Sequence, residues 1–331
     1  MDRRLRLVFA GTPEFALPSL AACLAADADV VAVYTQPDRP AGRGRHVAAS
    51  PVKRAALAAG VAVEQPHTLK GPDTRRRLRA CEPDLMVVVA YGLILPRSIL
   101  PIPRLGCWNV HASLLPRWRG AAPIQRALLA GDRETGVAVM KMEAGLDTGP
   151  LLDQRRTPIL PTDTAGSLHD RLASLGADLL AQTLADIVRG GMPGAVAQAT
   201  AGVTYAAKID KAEARLDWFD SAAALALKVR AFDPWPVAEA DIGGEHLRIR
   251  AAADRGQGPR EADRETQERQ KTGGPGAGGV APGTILAAGT DGVDVACGAG
   301  VLRVTEVQRP GGRRMPVRDW LNARPDLRTR R

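Results

Sequence analysis

Cysteine is scarce. The chain has four in 331 residues, Cys23, Cys81, Cys107 and Cys297, and no two form a C-x-x-C pair or cluster with histidine. That scatter argues against structural zinc and against a disulfide framework. No metal is expected, and a reducing, cytoplasmic setting is the simplest expectation. Long hydrophobic runs are also missing: no eighteen consecutive residues are apolar and uncharged, so no membrane span is expected. The opening Met1-Asp-Arg-Arg-Leu-Arg6 has early positive charge but no long apolar stretch behind it, and reads as folded protein rather than a signal peptide. Two glycine signatures are absent as well. The turn Ala10-Gly11-Thr12-Pro13 lacks the glycines of G-x-G-x-x-G, which disfavours a dinucleotide cofactor. No G-x-S-x-G is present, so a covalent acyl-enzyme on serine is not indicated.

What the chain does have is positive charge. Lys and Arg number 45 against 36 Asp and Glu, a formal net charge of +9. The excess is local. Arg39, Arg43, Arg45, Lys53 and Arg54 fall in a stretch with no acidic residue, and from Arg303 onward nine Arg face only Glu306, Asp319 and Asp326. Two such patches fit a polyanionic partner, although a solvated basic surface would account for the charge alone equally well.

The first half alternates short apolar runs with helical patterns. Residues 5–10, 30–35, 85–90 and 107–111 read as buried strands, with helices between them. Ser50-Pro51 is a start signal for one helix and Gly60 its stop; another begins near Pro72. The alternation implies an α/β, Rossmann-like domain with a mostly parallel sheet. A long helix is expected over 164–189, ending at Gly190-Gly-Met-Pro-Gly194. A further helix over 221–232 leads into short strands at 247–251, 283–287, 292–297 and 301–307, which suggest a small barrel. The expected domains are 1–190, a linker 191–208, and 209–331, with 254–279 a mobile insertion.

Ligands of such sheets bind beyond the carboxyl ends of the strands. That rule points to Gly11-Thr-Pro13, Tyr91-Gly92 and the loop after Val110. Asn109 and His111 stand two apart on an apolar strand, so both side chains face one side. An amide beside an imidazole can hydrogen-bond a developing oxyanion. As an isolated pair they read more readily as a capping Asn and a satisfied, half-buried His. Asp147, between glycines in Gly145-Leu-Asp-Thr-Gly149, can turn inward and orient the ring. With no nucleophile in place, direct attack by an amine on an acyl donor is the indicated chemistry.

The string Asn109-Val-His-Ala-Ser-Leu-Leu-Pro116, with the later Asp147, resembles the catalytic motif of the 10-formyltetrahydrofolate-dependent formyltransferases. The resemblance extends through Phe9-Ala-Gly-Thr-Pro-Glu-Phe15, Thr35-Gln-Pro-Asp-Arg-Pro-Ala-Gly-Arg-Gly44, Pro51-Val-Lys53, Val88-Val-Ala-Tyr-Gly-Leu-Ile-Leu-Pro96, Arg117-Trp-Arg-Gly-Ala-Ala-Pro-Ile-Gln125 and Arg230-Ala-Phe-Asp-Pro-Trp-Pro236. It implies a C-terminal OB-like β-barrel domain that binds tRNA. It implies that Asn109, His111 and Asp147 are catalytic, and that Ser113, Leu114, Leu115, Pro116, Tyr91, Gly92 and Leu93 line a folate site. It implies that Arg39, Arg43, Arg45 and Lys208 contact tRNA. The substrates implied are 10-formyltetrahydrofolate and initiator methionyl-tRNA, with a monomeric, non-membrane protein as the expected form. Two alternatives stay open: a folate-dependent formyltransferase acting on a small amine (a sugar nucleotide or glycinamide ribonucleotide), and a non-enzymatic RNA-binding protein. The sequence departs from the family at Ala112, where Gly is common; this matters only if the backbone there is left-handed.

Overall fold

A computed structural model describes residues 4–41, 46–192, 194–256 and 280–327. Arg43, Arg45 and residues 257–279 of the expected 254–279 insertion lie outside the described residues; Asp254, its first residue, instead ends a strand. The chain divides into two compact units, one of residues 1–124, 133–160 and 167–207, the other of 125–132, 161–166 and 208–331.

In chain order the elements up to residue 206 are β1 (Leu5–Gly11), α1 (Leu17–Ala25), β2 (Ala28–Tyr34), β3 (Arg39–Ala41), β4 (His46–Ala48), α2 (Pro51–Ala58), β5 (Val63–Glu64), α3 (Pro72–Ala80), β6 (Leu85–Val89), β7 (Cys107–His111), β8 (Arg119–Gly120), α4 (Pro123–Leu129), β9 (Glu134–Lys141), β10 (Leu151–Pro158), α5 (Ala165–Val188) and β11 (Tyr205–Ala206). Seven strands form one sheet in the order β10-β9-β7-β6-β1-β2-β5. The ladders from β5 through β7 are parallel, and β9 and β10 run antiparallel to their neighbours. The expected helix start at Ser50-Pro51 is present: the Ser50 hydroxyl accepts from the Lys53 N–H at 3.0 Å, and Pro51 occupies the first turn.

All five residues of β6 are buried. Met86 and Val88 join Val8, Ala10, Tyr34, Leu78 and Ile99 in the core beside β1, where each large apolar side chain contributes about 1.5–3 kcal/mol by leaving water. Asp84, buried at the foot of β6, is satisfied by the Arg6 N–H (2.9 Å) and Arg104 Nε (3.0 Å). From β1 the chain proceeds to β2 and β5 on one side and to β6 on the other, so the order reverses at β1/β6. Ligand crevices of open α/β sheets lie at such a reversal, beyond the strands' carboxyl ends.

The second unit contains α6 (Ala222–Ala231), β12 (Ala238–Ile242), β13 (Glu245–Asp254), β14 (Ile285–Gly289), β15 (Gly292–Ala296), β16 (Val301–Gln308), β17 (Arg314–Pro316) and α7 (Val317–Asn322). Its antiparallel sheet has the order β12-β13-β16-β15-β14, with β17 on β16. Leu225 and Val229 of α6 and Trp320 of α7 share its core. The short strands expected for a barrel are present, but among the described residues the ladder does not close from β14 onto β12. No helix of the described residues is long and apolar enough to cross a membrane.

Candidate active site

β7 carries Asn109 and His111 to the carboxyl end of the sheet on a common face. Val110 between them points the other way, toward Gly176 of α5. The loop after β9 brings one carboxylate to both polar residues. Asn109 Nδ2 donates to Asp147 Oδ1 at 3.4 Å, and His111 Nδ1 stands 3.8 Å from Asp147 Oδ2. Oδ2 also accepts the Gly120 N–H at 2.8 Å. On its far side, His111 Nε2 is 2.8 Å from the Trp118 carbonyl. A carbonyl only accepts, so Nε2 carries the proton of this bond. His111 and Asp147 have side chains only 7% and 13% exposed, so water competes weakly for these contacts.

The backbone is bent to achieve this. Trp118 has φ +61° and Asp147 φ +51°, and Ala90, just before Tyr91, has φ +46°. Non-glycine residues held there cost about 1–2 kcal/mol each and persist only where surrounding contacts fix them. Gly149 permits the Asp147 loop its close approach: a Cβ there would lie 1.7 Å from the Lys141 carbonyl oxygen at the end of β9. Gly120, at φ +120°, presents its N–H to Asp147 with the Ala206 carbonyl 2.8 Å from where a Cβ would be. Ala112 is not among the left-handed residues, so its Cβ in place of a glycine's hydrogen costs nothing there.

The other expected site residues fall into groups. Ser113 is fully buried, and its hydroxyl donates to the Arg117 carbonyl at 2.6 Å, holding the turn that presents Trp118. Leu115 is buried against Ala138 and Met140, and its carbonyl accepts from Gln154 Nε2 at 2.9 Å. Leu114 and Pro116 are half-buried in the same loop. Tyr91 points into the core at 2% exposure, while its carbonyl accepts from Thr12 Oγ (2.9 Å) and Gln36 Nε2 (3.1 Å). The loops after β1, β2 and β6 are thereby tied together. Gly92 is exposed and Leu93 half-buried; the outward apolar side chain of that loop is Ile94, at 87%. Arg39 is exposed on the β3–β4 hairpin of the first unit, and Lys208 is exposed in the second. Beside Arg39, Asp38 is held by Lys53 Nζ (2.6 Å) and Gln65 Nε2 (2.7 Å), which keep its carboxyl below the usual carboxylate range.

Sequence patterns do not single out Gln198, Gln154 or Thr204, although each holds the site loops. Their bonds go to backbone groups distant in the chain, which local sequence patterns do not register. The thiols take no part: burial pushes Cys23 and Cys107 up to about 12, leaving them neutral and poor nucleophiles. Among the described residues no group of three or more His, Cys, Asp or Glu is placed to hold a metal ion.

Residues 5–184 match the family described as "Formyl transferase", and residues 208–325 match "Formyl transferase, C-terminal domain". A protein of Stenotrophomonas maltophilia (strain K279a) named methionyl-tRNA formyltransferase is 58% identical over 324 residues, covering 98% of this chain and 99% of that one. One of the same name from Xylella fastidiosa (strain M23) is 55% identical, with 98% and 100% covered. Among solved structures, an N-formyltransferase from Helicobacter canadensis in complex with folinic acid and dTDP-3-aminofucose superposes with a TM-score of 0.64 at 17% identity, covering 91% of this chain and 98% of that one. HypX from Aquifex aeolicus in complex with tetrahydrofolic acid gives 0.56 at 16%, with 97% of this chain covered but only 47% of HypX; the chain spans about half the length of that protein. At such identities the structural likeness speaks for the fold alone.

Proposed function

We propose that the chain, which belongs to the formyl transferase family, transfers the formyl group of 10-formyltetrahydrofolate to the α-amino group of initiator methionyl-tRNA, as a methionyl-tRNA formyltransferase. The observation that carries this reading is the single carboxylate of Asp147, joined to the Asn109 amide and the Gly120 N–H with the His111 ring opposite it. The choice of acceptor is supported by the relatives of that name at 55–58% identity over nearly the full chain.

The chemistry follows from these groups. The amine nitrogen bonds to the formyl carbon, the bond from that carbon to N10 breaks, the amine gives up a proton and N10 gains one. Negative charge gathers on the formyl oxygen as the amine adds. The Asn109 amide donates its second proton to it, and His111 donates from Nδ1 when that nitrogen is protonated, because its Nε2 proton is held by the Trp118 carbonyl; donors fixed in advance cost little reorganisation during the reaction. Asp147 holds Asn109 in place and is the carboxylate of this centre that could take up the amine's proton. Ser113 to Pro116 and Tyr91 to Leu93, on loops beyond the neighbouring strands β7 and β6, would hold the folate. Much of that contact would come from backbone and from loop shape, because Ser113, Leu115 and Tyr91 have their side chains turned inward. Arg39, Arg43, Arg45 and Lys208 would contact phosphates of the tRNA. In this reading the 1–190 and 209–331 portions serve formyl transfer and tRNA binding, and the protein works as a cytoplasmic monomer in translation initiation.

The test is a substrate comparison. Purified protein with 10-formyltetrahydrofolate should formylate methionyl-initiator tRNA, and do so far faster than a dTDP-amino sugar or glycinamide ribonucleotide. Absence of formylated tRNA would sink the reading. Turnover of a small amine alone would favour a small-amine formyltransferase.

A further inference from the structure

The side chain that holds Asp147 in its left-handed conformation comes from neither its own loop nor β7. Gln198 lies in the segment after α5, a stretch fastened to the first unit at both ends. Val196 and Leu151 exchange N–H···O bonds of 2.8 and 2.7 Å, and β11 pairs in parallel with β8. Between these anchors, Gln198 Nε2 donates to the Asp147 carbonyl and to the Gly149 carbonyl, both at 2.8 Å. Its Oε1 accepts from Arg119 at 3.1 Å (Nε) and 2.6 Å (Nη2). Both amide protons are used, and the oxygen faces a guanidinium. The reversed orientation would set the oxygen against two carbonyls and the amino group against a cation, so the assignment is fixed by chemistry.

We propose that Gln198 is a positioning residue for the transfer site: by bonding the carbonyls of Asp147 and Gly149 and the side chain of Arg119, it locks the Asp147 loop to the Trp118–Gly120 turn and so sets the carboxylate against Asn109 and Gly120. This rests on the reading of Asp147 as part of the reaction centre. Gln198 bonds the backbone of the loop that supplies Asp147 and the Arg119 side chain of the turn that supplies the Gly120 N–H and the Trp118 carbonyl, and it makes no hydrogen bond to Asn109, His111 or the Asp147 carboxylate itself. Its effect therefore passes through Asp147. A carboxylate displaced by even 1 Å loses alignment with the reacting groups, and rate losses of about tenfold to a hundredfold are ordinary for such shifts.

The experiment is a double-mutant cycle on the full chain, with steady-state formylation of methionyl-initiator tRNA and a thermal melt for each variant. Gln198→Ala is expected to lower kcat about tenfold, with KM for both substrates within about twofold. Gln198→Glu keeps an acceptor for Arg119 but has no proton for the two carbonyls, and is expected to lose as much; if Gln198→Ala does not fold, this variant carries the test. In an Asp147→Ala background the Gln198 change is expected to cost nothing further. A Gln198 loss of the same size in both backgrounds overturns the proposal, as does wild-type kcat in Gln198→Glu. Variants that lose the fold without losing specific rate assign Gln198 a structural role instead and overturn it too. Failure of the underlying reading is seen separately, as wild-type kcat in Asp147→Ala alone.

Discussion

The Asp147 carboxylate lies closer to Asn109 than to His111: Oδ1 is 3.4 Å from the amide nitrogen, whereas Oδ2 stands 3.8 Å from Nδ1. The bond that sets the ring comes instead from the Trp118 carbonyl at 2.8 Å. With Nε2 donating there, a neutral ring presents the bare Nδ1 lone pair to a carboxylate, an acceptor facing an acceptor. A proton between the two groups would turn that opposition into a bond, and in the proposed reaction Asp147 and His111 would share it.

Asp147→Asn tests that pairing. The substituted amide still accepts the Gly120 N–H and fills the same space, so the fold and the melting temperature should hold. The proton acceptor is gone, and kcat should fall by about a hundredfold, while KM for the tRNA changes little. Single-turnover formylation beside a melt measures both; a wild-type rate would remove Asp147 from the chemistry.

Asn109→Ala and His111→Ala should each cost kcat about a hundredfold or more, since in the proposed mechanism each replaced side chain donates to the charge that develops on the formyl oxygen. The two effects should not add fully, because both side chains face the Asp147 carboxylate. Far-UV circular dichroism should be unchanged for Asn109→Ala, which leaves β7 its ladder to β6 and β9.

The strands, the Ser50 cap and the common face of Asn109 and His111 are legible in the sequence because they depend on neighbours within a few residues. Inward rotation of Tyr91 and Ser113 is not. Tyr91 sits in an apolar run that could face ligand or core, and only the packing of Leu95 and Ile99 around it decides. Gln198 is silent for a similar reason: its partners Arg119, Asp147 and Gly149 are 49 to 79 positions away. The barrel expected in the second unit is correct in strand content, yet whether a ladder closes depends on long-range pairing that alternation cannot encode.

Arg39→Ala and Arg43→Ala should raise KM for tRNA and leave that for the formyl donor unchanged. Each removed phosphate contact should also reduce the slope of log affinity against log salt by about 1. Filter binding across a salt series reads this directly. Equal damage to folate use would contradict the proposed role of these arginines.

Alkylation should leave the enzyme working. Cys23 and Cys107 are buried and neutral, and burial also raises Cys81 and Cys297. Brief iodoacetamide treatment of the native protein at neutral pH should modify these thiols slowly and keep kcat within about twofold. Rapid inactivation would point to a reactive thiol at the site.

Acid stability of the second unit should depend on Glu245. Its carboxylate accepts from Arg309 Nε (2.6 Å), Trp320 Nε1 (2.9 Å) and Arg324 Nη1 (3.4 Å). The Arg309 bond is the main reason its carboxyl titrates below the ordinary value of 4.5. A folded-state value under the unfolded one stabilises the fold fully above that ordinary value, and the contribution is lost as pH falls through the lowered value. Glu245→Gln carries no charge at any of these pH values, so it lacks this part of the acid slope. The variant should melt lower than wild type at about pH 6, and the gap should narrow as pH drops toward about 3. Arg309 is 41% exposed, so solvent screens the pair and the gap at neutral pH should be modest. Parallel melts of the two proteins across that range check the sign, and a gap that widens on acidification would overturn it.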